Sequence, residues 1–245
     1  MATDVIPADA SRTRKQREWQ RRETLILDVA RRRLSESGMA GLNMDQIAAE
    51  IEYSKGTVYQ HFRSKDDLLM GLAAAATDSR VALFSKAATL PGRSRERLTA
   101  IGVSARLFIE RYPDHFRVEQ ILELTQIRDK TDPERQRRLA AAESRCMAIF
   151  AGVGRDGVAA GDLVLPENFS AENVAFGLWS LCMGGFTLVM SRPLEELGVI
   201  DPPGSIFRNY HAYLDGLGWR PLSGEFDYGE TTARAEALLA ERPET

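Results

Sequence analysis

Residues 43–69 read NMDQIAAEIEYSKGTVYQHFRSKDDLL, and this stretch decides how the N-terminal part of the chain folds. Asn43 and Ser54 are residue types that cap the N-terminal ends of helices, because their side chains accept hydrogen bonds from free backbone N–H groups. Short helices are therefore expected from Met44 and from Lys55, with only a few residues between them. Two short helices joined by a tight connection are typical of a helix-turn-helix.

The second of these helices has a divided surface. Val58 and Phe62 lie four residues apart and give it an apolar inner face. The rest of its surface is small, polar or cationic and consists of Lys55, Gly56, Thr57, Tyr59, Gln60 and His61. A helix that enters the major groove of DNA and meets phosphates needs such a face. We therefore predict that this helix is a recognition helix.

Apolar residues recur at helical spacing along almost the whole chain, and no long stretch alternates with a period of two. Helices are predicted over residues 21–37, 44–51, 55–62, 64–88, 95–111, 113–128, 133–153, 171–191, 205–217 and 232–240. The glycine-rich segment from Gly152 to Gly161 is expected to be a loop, as is Pro202-Pro203-Gly204, because glycine and proline interrupt helices. The fold class that follows is all-α.

Composition and charge narrow the class of protein. Residues 1–65 hold 12 basic and 9 acidic side chains, whereas the rest of the chain holds 20 basic and 26 acidic ones. This difference favours a polyanionic partner for residues 1–65 alone. The isolated Cys146 and Cys182 predict neither a disulfide framework nor a metal site, and they fit a reducing cytoplasm. Residues 173–191 carry no charge, but their Gly184-Gly185 pair and polar residues favour a core or subunit-interface helix over a membrane span.

The helix-turn-helix stretch closely resembles the signature of the TetR family of transcription regulators. The resemblance rests on Ile47-Ala48, on the run from Tyr53 to Phe62 and on the run from Ser64 to Leu69. The spacing of Ile26-Leu27-Asp28-Val29-Ala30 and Gly38 also agrees. The match is specific over about residues 21–72, and beyond them only the length and the helical pattern are similar.

Three positions depart from the family pattern. Glu52 stands where the family usually has glycine in the turn, and Tyr53 stands where it has a small aliphatic residue. A glutamate in a left-handed turn conformation costs on the order of 1 kcal/mol. Arg33 replaces a usually apolar residue, and two outcomes are open: its charged end reaches solvent over an apolar stem, or it extends a basic surface with Arg31 and Arg32.

The resemblance also implies which residues contact DNA. The family positions that usually touch DNA are occupied here by Lys55, Gly56, Thr57, Tyr59, His61 and Lys65. Physical chemistry adds two more, since Asn43 at a helix N-terminus can meet a phosphate and the amide of Gln60 can read adenine. Structural alternatives stay open: Tyr59 could pack half-buried, His61 could cap or stack, and Asn43 caps its helix in either case.

The chain is predicted to have four parts. Residues 1–20 form a basic, flexible arm, either a solvated tail or an element that follows the DNA backbone. Residues 21–66 form the DNA-binding domain of three helices, and residues 67–218 form a larger helical domain for ligand binding and dimerisation. Residues 219–245 form a C-terminal tail with one short helix.

The late helices 171–191 and 205–217 are the best candidates for a homodimer interface, and in TetR-like proteins the last two helices of the body commonly pair as a four-helix bundle. The ligand pocket is predicted from apolar and adaptable side chains with a few polar groups. Its candidates are Phe108, Tyr112, Phe116, Glu119, Met147, Phe150, Phe176, Trp179, Cys182 and Met183. Taken singly, each of them is more often an ordinary core residue than a ligand contact.

The function that the resemblance implies is a cytoplasmic repressor that a small, mainly apolar ligand releases from a palindromic DNA operator, through movement of the long fourth helix. The alternative is a constitutive or architectural DNA-binding protein without an effector. A helical enzyme is not expected, because the pair His115 and Glu119 lacks the third group that a catalytic or metal site requires. No cofactor and no metal are predicted.

Overall fold

The computed structural model describes residues 8–124, 127 and 131–240. Within these residues the protein is helical and contains no strand, which confirms the predicted all-α class. The α-helices are α1 (Ala8–Gly41), α2 (Met44–Glu50), α3 (Lys55–His61), α4 (Lys65–Ala87), α5 (Ser94–Arg111), α6 (Pro113–Leu124), α7 (Pro133–Ala159), α8 (Ala171–Ser191), α9 (Pro202–Gly216) and α10 (Tyr228–Ala240). A short 3-10 helix, Glu195–Leu197, lies between α8 and α9.

Helix α1 begins earlier than the sequence pattern suggested. It starts at Ala8 instead of Arg21, so residues 8–20 of the expected flexible arm are helical, while residues 1–7 lie outside the described residues. The segment contains no proline or glycine, and Arg22 forms an ion pair with Glu18 one turn away at 3.0 Å. Gly38 has a φ of 59° and kinks the helix near its end.

The expected loop from Gly152 to Gly161 is wrong, because α7 continues to Ala159. Tertiary packing explains why glycine occurs inside this helix. A Cβ atom on Gly157 would lie 2.9 Å from the Trp219 ring, and one on Gly154 would lie 3.2 Å from the Cβ of Ala171. These glycines therefore allow close approach of neighbouring segments and do not end the helix.

Other helix ends also differ from the sequence-based boundaries. Pro202-Pro203-Gly204 is the first turn of α9 and not a loop, since proline fits the first turn of a helix and Asp201 accepts a hydrogen bond from Gly204 N at 3.1 Å. Helix α6 ends at Leu124, and residues 125, 126 and 128 of the predicted helix lie outside the described residues. Helix α10 begins at Tyr228, and residues 241–245 of the tail are also outside the described part.

The chain divides into two compact units. The first consists of Met1–Ala75 with Asp114–Arg137, and the second consists of Ala76–Pro113 with Arg138–Thr245. Residues 114–137 therefore group with the N-terminal helices, whereas the predicted domain boundary at residue 66 assigned them to the ligand-binding domain. The core of the first unit is formed by fully buried apolar side chains that include Ile26, Ala30, Ile47, Ala48, Val58, Phe62, Leu68 and Leu69.

The second unit is held together at its C-terminal end by a buried cation. Arg95 is 0% exposed, and its guanidinium donates to the carbonyl oxygens of Trp219 and Pro221 and forms an ion pair with Asp215 at 2.7 Å. Tyr228 lies under the same guanidinium at 4.9 Å. A buried charge is tolerated only when such partners replace its hydration, so this side chain attaches the segment after α9 to α5.

His211 is a second buried polar group in this unit, and it predicts a pH dependence of stability. Burial is the main cause that lowers the pKa of His211 to about 4, and the Arg95 cation lowers it further. Neither ring nitrogen has a hydrogen-bond partner among the described residues. Phe207 and Tyr228 pack against the ring with centroids at 5.2 and 4.7 Å, so a phenyl ring suits the same space.

We expect the free energy of unfolding to fall as the pH decreases from about 6.5 to about 4, because in this range the unfolded chain binds a proton that folded His211 does not. His211→Phe should remove about 1–3 kcal/mol of this dependence. Urea unfolding between pH 4.5 and 7.5 measures it, and His115→Phe in the first unit should remove a similar part of the dependence, because burial also lowers the pKa of His115 to about 4. An unchanged pH dependence in His211→Phe would contradict the assignment.

Candidate DNA-binding site

The helix-turn-helix is capped as the sequence predicted. The side chain of Asn43 accepts hydrogen bonds from the backbone N–H groups of Asp45 and Gln46 at 3.0 and 3.2 Å, which fixes the start of α2. The Oγ atom of Ser54 accepts from Thr57 N at 3.1 Å and fixes the start of α3. Each helix therefore satisfies its first free donors locally.

The turn between α2 and α3 has the backbone conformation expected for a glycine. Glu52 has a φ of 57°, in the left-handed region, so it occupies this position despite its side chain. The backbone N–H of Tyr53 donates to Ala48 O at 3.1 Å and closes the turn. The hydrogen bond and the adjacent packing of buried Ala48 offset a cost of about 1 kcal/mol.

Arg33 does neither of the two things that the sequence left open. Its guanidinium donates to Glu50 at 2.7 Å and to Gln46, and its Nε donates to the carbonyl oxygen of Gly41 at 3.2 Å. It therefore ties α1 to the outer side of α2 and leaves little of its charge for DNA.

Helix α3 is fixed at its C-terminal end by Arg135 from the first turn of α7. The guanidinium donates to the carbonyl oxygen of His61 at 2.5 Å and to Glu23 of α1 at 3.1 Å, and it lies 4.1 Å from the centre of the Phe62 ring. A cation at this end of a helix also interacts favourably with the helix dipole. The orientation of α3 therefore depends on packing along α1 and on this one arginine.

The outer face of α3 is accessible. Lys55, Gly56, Tyr59 and Gln60 are exposed, and Tyr59 shows 46% of its surface. Tyr53 in the turn is 39% exposed beside them, although sequence reasoning did not include it among the contacts. Lys55 forms an ion pair with Asp45 at 2.5 Å, so a phosphate at Lys55 would compete with a carboxylate.

Three further predicted contact residues already have intramolecular partners. The hydroxyl of Thr57 is 2.8 Å from the Oγ of Ser54. Lys65 is half-buried and donates to the carbonyl oxygen of Met39 near the end of α1. Asn43 is the cap of α2 described above. All three lie in the first unit with α3, and a phosphate would have to share or replace these interactions.

His61 is not on the accessible face, which corrects its predicted role as a DNA contact. Its side chain is 4% exposed and stacks on Trp19 of α1, with ring centroids 3.7 Å apart. Burial is the first cause that lowers the pKa of His61, so the ring stays neutral at neutral pH. The stacking alternative was therefore right, because Trp19, which was expected in a flexible arm, lies in α1 and covers His61.

Trp19 and Arg135 are the site residues that sequence reasoning missed. Trp19 lies one turn before Glu23 and two turns before Ile26 on the same side of α1. If the helix had been predicted to start before residue 19, this spacing would have placed Trp19 on its inner face. Arg135 carries no comparable pattern, because its partners Glu23 and His61 are distant in sequence.

The predicted ligand-binding residues do not all belong to one unit. Phe116 and Glu119 lie in the first unit and are buried there, whereas Phe108, Tyr112, Met147, Phe150, Phe176, Trp179, Cys182 and Met183 lie in the second. Phe150 belongs to the buried core of the second unit, where it packs edge-on against Phe84 with centroids at 5.3 Å. Met147 and Cys182 pack against the same core while remaining half-buried.

Tyr112, Phe176 and Trp179 do not fit an enclosed pocket within the chain. They are 41%, 57% and 38% exposed, and a side chain that encloses an apolar ligand has to be shielded from water itself. Phe176 and Trp179 instead form part of an apolar surface on α8. No group of three or more potential metal-ligating side chains was found among the described residues.

Known proteins are similar to this chain at two levels, in the sequence of the helix-turn-helix region and in the fold of most of the chain. A family model described as bacterial regulatory proteins, tetR family, matches residues 26–72. No curated protein sequence matches the chain. A bacterial regulatory protein in the tetR family from Rhodococcus RHA1 has a similar structure, with 21% identity and a TM-score of 0.60, over 80% of this chain and 97% of that chain.

Two further solved structures are similar over most of their length. SmeT, the repressor of the Stenotrophomonas maltophilia multidrug efflux pump SmeDEF, has 18% identity and a TM-score of 0.57, over 79% of this chain and 89% of its own. FadR from Bacillus subtilis, solved in complex with stearoyl-CoA, has 16% identity and a TM-score of 0.56, over 76% and 96%. At these identities the likeness shows a common fold.

Proposed function

The chain is a TetR-family transcription regulator, and on that premise we propose that it is a repressor which a small, mainly apolar ligand releases from a palindromic operator. The observation that carries the proposal is the accessible face of α3, held between two capped helix starts and the Arg135 interaction. A rigidly supported helix with an exposed polar face suits sequence reading in the major groove.

The proposed contacts divide into two kinds. One group would meet phosphate oxygens and so set the affinity for the duplex and the position on it. This group consists of Tyr59, Thr57, Lys55, Gly56, Lys65 and Asn43. Gln60 is exposed on the same face, and its amide would read a base, because it can form two hydrogen bonds with adenine. The backbone contacts should act on every sequence, whereas Gln60 should act on one base pair.

Selection from random duplexes should enrich a roughly palindromic sequence. We expect Tyr59→Phe, which removes only a hydroxyl, to weaken binding to all duplexes by a similar factor, since a phosphate contact carries no sequence information. Gln60→Ala should reduce discrimination at one position in each half-site by about 1–3 kcal/mol. Fluorescence anisotropy at fixed salt measures both.

The matched control is Tyr112→Phe, because Tyr112 is exposed to a similar extent but lies in the second unit. It should leave DNA affinity unchanged. Failure to enrich any sequence would overturn the proposal of a specific regulator.

A homodimer is proposed through α8 and α9. Helix α8 has an uncharged 18-residue window, yet only 22% of this window is buried within the chain. It packs closely along α9, since a Cβ on Gly177 would clash with the Tyr213 hydroxyl and one on Gly185 would lie 2.7 Å from Ile206. Arg208 and Asn209 are exposed on α9, so this helix pair suits a second protein surface better than lipid.

Trp179→Glu should split the dimer, because a carboxylate would be buried on the apolar surface of α8 without a partner. Sedimentation at micromolar concentration should shift from dimer to monomer, and operator affinity should fall with it because the two half-sites are then bound independently. Val164→Glu, which changes a residue that is 81% exposed in the loop before α8, should remain dimeric. A monomeric wild-type protein, or one that binds to lipid vesicles, would contradict the proposed interface.

The effector is proposed to bind in the second unit beside Phe108, Met147, Phe150 and Cys182. Burial raises the pKa of the Cys182 thiol to about 12, so the thiol is neutral, and the sulfur of Met147 adapts readily to apolar ligands. Helix α4 starts at Lys65 beside the DNA-binding residues, and its residues from Ala76 belong to the second unit. A ligand that favours another tilt of α4 would therefore lower operator affinity.

Cys182→Trp should crowd Met147 and Phe150 and abolish ligand release while leaving operator binding intact, whereas Cys182→Ser should retain release. Stearoyl-CoA is a suitable first probe, since FadR with a similar fold was solved with it, and Nile red is a second. The measurement is operator affinity with and without the probe. Loss of dimerisation and DNA binding in Cys182→Trp would instead place Cys182 in the structural core.

A further inference from the structure

We propose that residues 13–22 of α1 are a second DNA-contacting element, a rigid helical extension that binds the phosphate backbone beside the recognition helix. The inference rests on the proposed DNA-binding function and adds a surface to it. The family match starts at residue 26, so the extension lies before the segment that the family model describes. It would widen the footprint of each subunit on the operator.

The extension is strongly basic, and most of its basic side chains are exposed. Residues 13–22 include Arg14, Lys15, Arg17, Arg21 and Arg22 against a single acidic residue, Glu18. Arg22 is the one that pairs with Glu18. Arg14, Arg17 and Arg21 are exposed, and none has an ion-pair partner within the described parts of the chain. Their spacing of three and four residues places them on one face of the helix, as a continuous stripe.

The opposite face of the extension is attached to the recognition helix. Trp19 stacks on His61 with ring centroids 3.7 Å apart and an angle of 31° between the planes. One turn further along, Glu23 accepts a hydrogen bond from Arg135, which also donates to the carbonyl oxygen of His61. The side chains of Glu23 and Arg135 are only 15% and 16% exposed, which strengthens their interaction. The extension and the end of α3 are therefore held as one rigid element.

This attachment determines what the basic stripe meets. The major groove of B-DNA is about 12 Å wide, and an α-helix with its side chains is about 10–12 Å across, so a recognition helix fills the groove. An element packed directly against the C-terminal end of that helix is in a position to meet the phosphate backbone that borders the groove. A stripe of unpaired arginines held there matches the charge of the backbone and displaces its counterions.

The test compares salt dependence of operator affinity in the full chain. The triple variant Arg14→Gln, Arg17→Gln, Arg21→Gln removes the stripe, and Arg111→Gln, Arg155→Gln, Arg192→Gln removes the same charge from exposed positions of the second unit. We expect the stripe variant to make the slope of log affinity against log salt less steep by about 2–3 for each subunit, or about 5 for the proposed dimer, and to weaken binding at least tenfold at physiological salt. The control variant should bind as the wild type does.

Duplex length gives a second measurement. Shortening the operator by half a turn at each end should reduce the salt slope of the wild-type protein but not that of the stripe variant. Equal slopes for the wild type and the stripe variant on long duplexes would overturn the proposal and make the extension a solvated surface. That result would leave the proposed regulator intact, whereas absence of any operator binding by the wild type would overturn both.

The role of Trp19 is tested separately, since it positions the stripe and does not itself meet DNA. Trp19→Ala should lower affinity and the salt slope together, and Trp19→Phe should restore both, because a phenyl ring can still stack on His61. Thermal unfolding of each variant distinguishes lost attachment from lost folding. A Trp19→Ala variant that is folded and keeps the full salt slope would contradict the proposed attachment.

Discussion

The geometry of the DNA-binding unit depends on how the C-terminal end of α3 is held. A seven-residue helix forms few hydrogen bonds of its own and is stable only when it is packed against other elements. Val58 and Phe62 bury its inner side, His61 stacks under Trp19, and Arg135 binds the last carbonyl group while it lies over Phe62. The outer face can remain polar and exposed because these interactions supply the stability.

In the second unit, one buried charge likewise holds a segment in place, namely the segment that follows α9. Arg95 binds two backbone carbonyl groups and Asp215 without any contact to water, so the segment that follows α9 returns to α5 in a defined position. Trp219 is fully buried beside it, donates to Ser94 at 3.0 Å, and packs against the glycine positions of α7. The C-terminal segment is thus a structural part of this unit.

Helix α8 contrasts with these regions because Phe176 and Trp179 on its apolar surface stay exposed to water within the described part of the chain. Phe176 and Trp179 were expected both at a dimer interface and in a ligand pocket, and their exposure separates the two roles. An aromatic surface that faces water in the single chain favours association with another molecule. We therefore propose a ligand site beside Met147 and Cys182, which pack against the buried core that includes Phe150.

The sequence by itself determined the all-α class, the capped helix-turn-helix and the accessible polar face of α3, because caps, helical spacing and the turn conformation of Glu52 are encoded within a few residues of one another. Tertiary structure alone decided that His61 is buried, that Arg33 binds α2, and that α7 runs through its glycines. Each of these depends on a partner far away in the chain: Trp19 for His61, Glu50 for Arg33 and Trp219 for Gly157. Local patterns state which residues can form a helix, but whether a histidine meets DNA or a glycine ends a helix depends on what the fold brings against it.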